Sequence, residues 1–152
     1  PTPRGVTRVN VETAREMAQA VLPLLEKSPP PDCIVMAAAV ADHRPSECSQ
    51  RKRKKQDLGS SPSIALTENP DILRSLGTAR KGSAPLLVGF AAETHDLDAY
   101  ARRKLSEKGC DVIVANNVAE PGSGFGTDTN RVTILRRRGS EIDVLPLPLL
   151  SK

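Results

Sequence analysis

The sequence predicts an α/β fold, in which a Rossmann-like, mostly parallel sheet has flanking helices and a C-terminal β-hairpin. Three apolar runs without polar alternation, at residues 33–41, 86–91 and 111–117, are typical of strands buried on both faces. Helical patterns separate these runs, which favours parallel strands joined by right-handed crossovers. Aromatic residues make up only 2% of the 152 residues, so aliphatic side chains must form the core of what is expected to be one domain.

The first predicted helix covers residues 13–28. Thr13 and Glu16 have the spacing of a capping box, and apolar residues recur on one face after them. Pro23 lies inside this pattern and is expected to kink or weaken the helix.

The first buried strand is predicted over residues 33–41, directly before Asp42. The following residues 43–62 are polar, basic and rich in glycine and serine, and we interpret them as a flexible basic lid loop. A short strand over residues 63–67 is expected to end this loop.

A second helix is predicted to begin at the sequence "ENPDILRSLG". Asn69 is suited to the N-cap, Pro70 to the first helical position and Gly77 to the C-terminal stop. The second buried strand follows at Leu86–Ala91, with Gly89 in its interior.

The remaining elements are a helix over residues 97–109, a third strand over residues 111–117 and a hairpin over residues 131–147. The helix has aspartates at its start and Lys108 near its end, an order that suits the helix dipole. The hairpin is expected to turn near Arg138 and Gly139.

Composition limits the classes of function. The net charge of +4 favours anionic partners, but the shortage of aromatic residues disfavours base-stacking surfaces for nucleic acid. Three cysteines without CxxC spacing and two histidines argue against a disulfide framework and against a metal site made by the protein. No run is apolar enough for a membrane span and the start lacks the pattern of a signal peptide, so we expect a reducing, cytoplasmic location without a membrane partner.

Polar or charged residues follow the strands, at the edge where open α/β sheets bind ligands. Asp42 is either a turn residue or a ligand contact, and Phe90 either packs in the core or stacks on a base. Lys104 and Lys108 share one helix face, which is either solvated or a two-point clamp for polyphosphate. The segment "NPDI" is either a plain helix start or a site for anions and acceptor atoms.

The basic run Arg51–Lys55 has several interpretations. Alone it is typical of a solvated loop, a localisation signal or a nucleic-acid patch. Together with Arg136–Arg138 it supports an alternative function, a basic nucleic-acid-binding module. Its position in a polar loop after a buried strand favours a lid over a phosphate site.

Six stretches taken together resemble one family: "AAAVADHRP", "RKRKKQ", "LTENPDIL", "VGFAAET", "ARRKLSEKGCDVIVANN" and "FGTDTNRVTIL". The chain is similar to the bacterial phosphopantothenate–cysteine ligases, the C-terminal half of the bifunctional coenzyme A biosynthesis flavoprotein. The resemblance extends over nearly all of residues 1–152. It implies a single ligase domain that lacks the glycine-rich segment with which the family domain begins, and a flavin (FMN) only in the absent decarboxylase half.

The resemblance also implies a reaction. The family uses CTP to activate the carboxylate of 4'-phosphopantothenate as an acyl-cytidylate, with release of pyrophosphate. The amine of cysteine then attacks and CMP leaves. Mg²⁺ accompanies the CTP, and family members of this type are homodimers.

Residue roles are carried over from the family motifs. Lys52 matches the lid lysine and is the expected catalytic residue, reaching the α-phosphate or acyl-phosphate region. The residues expected to bind the nucleotide are Asp42, Lys52, Asn69, Pro70, Asp71, Ile72, Phe90, Lys104 and Lys108. Asn116, at the end of the third strand, is a candidate for contact with the pantothenate substrate.

Overall fold

The structure is a computed structural model that describes residues 2–52, 54, 60–93, 96–123 and 126–152. Its helices are α1 (Ala14–Val21), α2 (Ile72–Ala79) and α3 (Leu97–Glu107), and a 3₁₀ helix (Leu22–Glu26) continues α1. Its strands are β1 (Cys33–Met36), β2 (His43–Pro45), β3 (Leu66–Glu68), β4 (Leu86–Glu93), β5 (Val112–Asn117), β6 (Thr129–Asn130), β7 (Val132–Arg138), β8 (Glu141–Pro146) and β9 (Leu150–Ser151).

A five-stranded sheet in the order β1-β4-β5-β7-β8 forms the centre of the fold. Strands β1, β4 and β5 run parallel, whereas β7 and β8 form an antiparallel hairpin that pairs with β5. The predicted α/β architecture with a C-terminal hairpin is therefore confirmed. Two small antiparallel ribbons, β2-β3 and β6-β9, accompany the sheet.

The core lies on one face of this sheet. Paired positions across the strands point to the same side, and Leu87, Ile113 and Leu135 on that side are almost completely buried. Leu76 of α2 and Leu105 of α3 are fully buried as well. Both helices thus cover the same sheet face and present their ends at its carboxyl edge.

The first helix is shorter than predicted. Thr13 and Glu16 form the predicted capping box, with both reciprocal hydrogen bonds present. The α-helix ends at Val21, and the chain continues as a 3₁₀ helix with Pro23 in its first turn. A proline there lacks the amide that an α-helical bond would need, so the tighter helix replaces the predicted kink.

The strand predicted over residues 33–41 was wrong in its second half. Strand β1 pairs with β4 only from Cys33 to Met36. Residues 37–41 leave the ladder and run across the carboxyl edge of the sheet. Their apolar composition resembles that of a buried strand, but Ala37, Ala38, Ala39 and Ala41 are exposed.

Two predictions about the second helix were wrong. Asp71, not Asn69, is the N-cap of α2, and its carboxylate accepts a hydrogen bond from the Arg74 amide at 3.1 Å. Gly77 lies inside the helix, which continues to Ala79. The glycine is required for packing: a Cβ built on Gly77 would overlap the backbone carbonyl oxygen of Lys108.

The predicted lid loop of residues 43–62 begins as a strand. Residues His43–Pro45 pair antiparallel with Leu66–Glu68, so the segment leaves and rejoins the domain as a two-stranded ribbon. The short strand expected at residues 63–67 is the second arm of this ribbon, shifted toward the C-terminus. Residues 53 and 55–59 of the basic run and its flank lie outside the described residues.

An ion pair between Arg80 and Asp111 fixes the end of the sheet opposite to the carboxyl edge. Arg80 also donates to the carbonyl oxygens of Pro85 and Gly109, and the Leu87 amide donates to Asp111 at 2.8 Å. Burial raises the pKa of the Asp111 carboxyl, but the hydrogen bonds from Arg80 and Leu87 outweigh it. The pKa is therefore held below its usual 3.8.

The Arg80–Asp111 pair leads to a prediction of how the stability of the fold depends on pH. A lowered pKa in the folded state means that ionised Asp111 stabilises the fold above pH 3.8, and that this contribution is lost as the pH falls further. We expect Asp111→Asn to lower the urea midpoint at pH 7 and the difference from the parent to shrink below pH 4. A difference that stays constant from pH 7 to about pH 2.5 would contradict the assignment.

Two further features of the chain concern cysteine and membranes. All three cysteines are free, and burial raises the pKa of the Cys110 thiol to about 11. In the part of the chain that the structure describes, no helix has the length and apolar character needed to cross a bilayer.

Candidate nucleotide site

A cavity of about 360 Å³ opens at the carboxyl edge of the sheet. The end of β1, the segment that follows it, the start of α2 and one face of α3 form its walls. Eight of the nine residues predicted to bind nucleotide line this cavity: Asp42, Asn69, Pro70, Asp71, Ile72, Phe90, Lys104 and Lys108. Residues that are far apart in sequence are thus brought to one site by the parallel strands.

Asn69 fastens the first wall of the cavity. Its backbone amide donates to the carbonyl oxygen of Asp42 at 2.7 Å, and its side-chain amide donates to that of Ala41 at 2.8 Å. Its side-chain oxygen accepts from Arg44 at 3.1 Å. Asn69 therefore holds residues 41–42 against the start of α2.

The start of α2 is stabilised by Asp71. One carboxylate oxygen caps the helix at the Arg74 amide, and the backbone carbonyl accepts from the Ser75 hydroxyl at 2.8 Å. The N-terminus of α2, where the helix dipole places partial positive charge, borders the cavity through Asp71 and Ile72.

Lys104 and Lys108 lie on the face of α3 that lines the cavity. Each ammonium group is paired with a carboxylate: Lys104 contacts Glu93 at 2.7 Å, and Lys108 contacts the second carboxylate oxygen of Asp71. The lysine side chains are 31% and 28% exposed. Both ammonium groups are thus held in ion pairs with carboxylates, and the two-point clamp for polyphosphate stays a prediction.

Close helix packing sets the position of Lys108. Gly77 of α2 lies against the backbone of Lys108 and Gly109, where no side chain could be accommodated. Gly109 ends α3 with a φ of +60°, in the left-handed region that glycine adopts without strain. This contact joins the C-terminal end of α3 to the C-terminal half of α2, and the Lys108 side chain extends from there to Asp71 at the start of α2.

Phe90 borders the cavity from β4 and is 46% exposed. Alternation along the strand places its ring on the sheet face opposite to the buried Ala91. A base that stacks on this ring would lie at the edge of the sheet. The core-packing interpretation of Phe90 is not supported by its exposure.

Two predicted site residues do not line the cavity. Lys52 is exposed in the segment that follows β2. Asn116 lies at the end of β5 between Ala92 and Val132, where its side-chain amide is 3.5 Å from the side-chain oxygen of Asn130. The roles predicted for these two residues therefore stay predictions.

The sequence prediction missed two residues at this site. Glu93 ends β4 and pairs with Lys104, and Arg44 joins Asn69 to the backbone carbonyl of Glu68. Both lie inside stretches that resemble the ligase family. A carboxylate at the carboxyl end of a buried strand was the available signal for Glu93, and Asp42 was selected on the same ground.

Comparisons with known proteins bear on the family and the fold of the chain. The family described as DNA/pantothenate metabolism flavoprotein C-terminal domain matches residues 1–152. The chain is 41% identical over 152 residues to the Coenzyme A biosynthesis bifunctional protein CoaBC of Vibrio vulnificus strain CMCP6, covering all of this chain and 36% of that protein. It is 43% identical over 151 residues to the protein of the same name from Bacillus subtilis strain 168, covering 99% of this chain and 35% of that protein.

Solved structures show the same fold. A crystal structure of the C-terminal domain of Coenzyme A biosynthesis bifunctional protein CoaBC matches with a TM-score of 0.73 and 34% identity, over 99% of this chain and 61% of that one. The DNA/pantothenate metabolism flavoprotein from Streptococcus pneumoniae matches in fold, with a TM-score of 0.64 at 16% identity over 96% of this chain and 67% of that one.

The chain spans about a third of the length of the curated relatives that it matches. Those relatives are named for coenzyme A biosynthesis, and their similarity reaches both ends of this chain. The family model matches the whole chain, and the fold agrees with that of the solved structures. The chain belongs to the DNA/pantothenate metabolism flavoprotein C-terminal domain family.

Proposed function

We propose that this chain carries the CTP-dependent ligation of cysteine to 4'-phosphopantothenate in coenzyme A biosynthesis. One observation supports this proposal above the others. A single cavity collects the eight residues named above, with two lysines on one wall and a helix N-terminus on another. A nucleoside triphosphate requires these features, positive charge for the phosphates and backbone groups for the base.

In the first proposed step, a carboxylate oxygen of phosphopantothenate attacks the α-phosphorus of CTP. The bond to the bridging oxygen breaks, and pyrophosphate leaves with the electron pair. Lys104 and Lys108 stabilise the charge that moves onto the departing phosphates, and Lys52 stabilises the charge at the α-phosphate. In the second step, the cysteine amine attacks the acyl carbon, CMP leaves and an amide bond forms.

Magnesium accompanies the triphosphate in this proposal. Among the described residues, no three side chains of His, Cys, Asp or Glu are grouped to hold a metal ion. Beside the carboxylates of Asp42 and Asp71, the cavity has the hydrogen-bond donors of two lysines, which suit phosphate oxygens. Mg²⁺ bound to the phosphates of CTP would supply further neutralisation of their charge.

Other parts of the proposal concern assembly, location and the second substrate. Homodimers, a cytoplasmic location and contact between Asn116 and the pantothenate substrate follow from the ligase resemblance. They are proposed on that ground.

The two lysines on α3 provide a test of the nucleotide site. In the protein at its natural full length, we expect Lys104→Gln and Lys108→Gln each to weaken CTP binding about tenfold, because a hydrogen bond to a charged group is lost. Isothermal titration with CTP and Mg²⁺ measures this change. Arg102→Gln is the matched control, since Arg102 pairs with Asp98 on the same helix at 2.7 Å and does not line the cavity.

The same titration tests nucleotide choice. We expect CTP to bind more tightly than ATP, since the proposed base contacts come from the segment 69–72 and from Phe90. Equal affinities for CTP, ATP and inorganic triphosphate would contradict a cytidine site and leave only an anion site. Equal losses in the Arg102 variant would show that the lysines act through overall charge alone.

The nucleic-acid alternative gains no specific support from the described basic residues of β7. Arg137 donates to the carbonyl oxygen of Leu105 at 3.1 Å, and Arg138 pairs with Asp143 at 2.6 Å. Two of the three arginines thus make contacts within the domain.

A further inference from the structure

Each of the two ammonium groups that are proposed to bind the triphosphate is paired with a carboxylate in the structure. Lys104 is paired with Glu93 at 2.7 Å, and Lys108 is paired with Asp71. Two lysines and two carboxylates carry no net charge between them. The proposed anion clamp is therefore electrically neutral in the structure, although its lysines face the cavity.

We propose that Asp71 and Glu93 are exchangeable counter-ions, which hold the two lysines in place and are displaced when a polyphosphate binds. This inference rests on the proposed function and assigns to the two acidic residues a part in it. The carboxylates compete with the phosphates for the same ammonium groups. They thereby limit the affinity of the site for any polyphosphate, including the pyrophosphate that must leave.

Because both ion pairs are partly exposed to water, breaking them costs little free energy. The side chains of Lys108 and Asp71 are 28% and 38% exposed, and those of Lys104 and Glu93 are 31% and 19% exposed. Ion pairs with this access to water contribute about 0.2–1 kcal/mol, which a triphosphate with several charged oxygens can exceed. When the polyphosphate leaves, the carboxylates are positioned to pair again with the lysines.

Asp71 can give up Lys108 without loss of the helix start. One of its carboxylate oxygens caps α2 at the Arg74 amide, and only the other contacts Lys108. Displacement of the lysine therefore breaks one interaction and leaves the cap. The wall of the cavity built on α2 stays in place while its charge becomes available.

Because Asp71 both caps α2 and pairs with Lys108, one substitution can remove its charge and keep the cap. Asparagine is as good an N-cap as aspartate, so Asp71→Asn removes the negative charge and keeps the helix start. Using the protein at its natural full length, we expect this variant to bind inorganic pyrophosphate and tripolyphosphate about fivefold more tightly, which corresponds to one exposed ion pair. Glu93→Gln is expected to act in the same direction, and the double variant more strongly than either.

Asp98→Asn is the matched control. Asp98 lies on α3 and pairs with Arg102 away from the cavity, so this variant makes the same change in net charge. We expect it to alter pyrophosphate affinity by less than about twofold, since exposed charges at a distance are screened by salt. A thermal melt of each variant establishes that the comparison is made between folded proteins.

Two outcomes would overturn the inference. Weaker binding of pyrophosphate by Asp71→Asn would mean that the carboxylate itself supports the ligand, and unchanged binding would mean that no exchange takes place. The test uses no cytidine and no turnover. A failure of CTP selectivity would overturn the proposed function and leave this comparison intact, so the two proposals fail separately.

Discussion

Replacing Lys52 with glutamine is expected to lower turnover by about 100-fold or more, while CTP affinity changes by less than about threefold. Lys52 lies outside the cavity and is exposed in the structure, so it contributes little to the bound ground state. The proposed contact forms when charge moves from the α-phosphate to the leaving pyrophosphate. An interaction made mainly in the transition state affects kcat more than binding. Steady-state rates and a CTP titration of the protein at its natural full length measure both quantities.

Lys54→Gln is the control for this experiment. Lys54 is exposed in the same basic run and carries the same charge, but the ligase resemblance does not assign it a role. We expect its loss to change turnover by less than about threefold, because a solvated lysine attracts anions only through a screened field. Equal losses of binding and turnover in Lys52→Gln would indicate simple ground-state attraction. Equal effects of the two substitutions would indicate that the run acts as a whole.

Gly77→Ala is expected to destabilise the domain by about 3 kcal/mol, near the upper end for an overpacked position. Alanine normally stabilises a helix interior relative to glycine, so propensity alone predicts the opposite sign. Here the added Cβ would overlap the carbonyl oxygen of Lys108, and backbone cannot move aside as a flexible side chain can. Either α2 or α3 must shift, which would also separate Lys108 from Asp71.

Urea denaturation of Gly77→Ala measures this effect, and Thr78→Ala is its neighbour control. Thr78 is exposed on α2, so alanine there adds no contact and removes a β-branched side chain from a helix. We expect no loss of stability at Thr78. If Gly77→Ala were as stable as the parent, the close contact between α2 and α3 would not exist in solution, and the placement of Lys108 would lose its structural basis.

The strands were predictable from the sequence as continuous apolar runs, but the prediction that they are buried on both faces was wrong, since Val35, Leu86 and Phe90 are exposed on the face opposite to the core. Apolar runs at residues 86–91 and 111–117 identified β4 and β5 nearly to their ends. The same reasoning extended β1 five residues too far. The apolar composition of residues 37–41 does not record burial, since Ala37, Ala38, Ala39 and Ala41 are exposed, and leaving the ladder depends on hydrogen-bond partners supplied elsewhere in the chain.

The errors at α2 have a similar origin. Asn69 and Asp71 are both good caps, and Pro70 after Asn69 favoured the earlier start. The structure uses the Asn69 side chain for Ala41 and Arg44 instead, a tertiary demand that no local pattern contains. Gly77 was interpreted as a helix stop because the reason for this glycine lies on another helix.

The composition of the site was more predictable than its charge balance. The lysines on α3 and the segment from Asn69 to Ile72 were selected from spacing, strand ends and family resemblance, and the structure gathers them around one cavity. The pairing of those lysines with Asp71 and Glu93 was not predicted. Ion pairs across elements depend on how α2, β4 and α3 are placed in space, and charge spacing along one helix does not record that arrangement.

The products of nucleotide turnover test the central proposal most directly. The protein at its natural full length would be incubated with 4'-phosphopantothenate, cysteine, Mg²⁺ and either CTP or ATP, and the nucleotide products would be separated. Activation through an acyl-cytidylate predicts one CMP and one pyrophosphate for each cysteine ligated, with little reaction from ATP. Formation of CDP and phosphate, or equal turnover of CTP and ATP, would contradict the account.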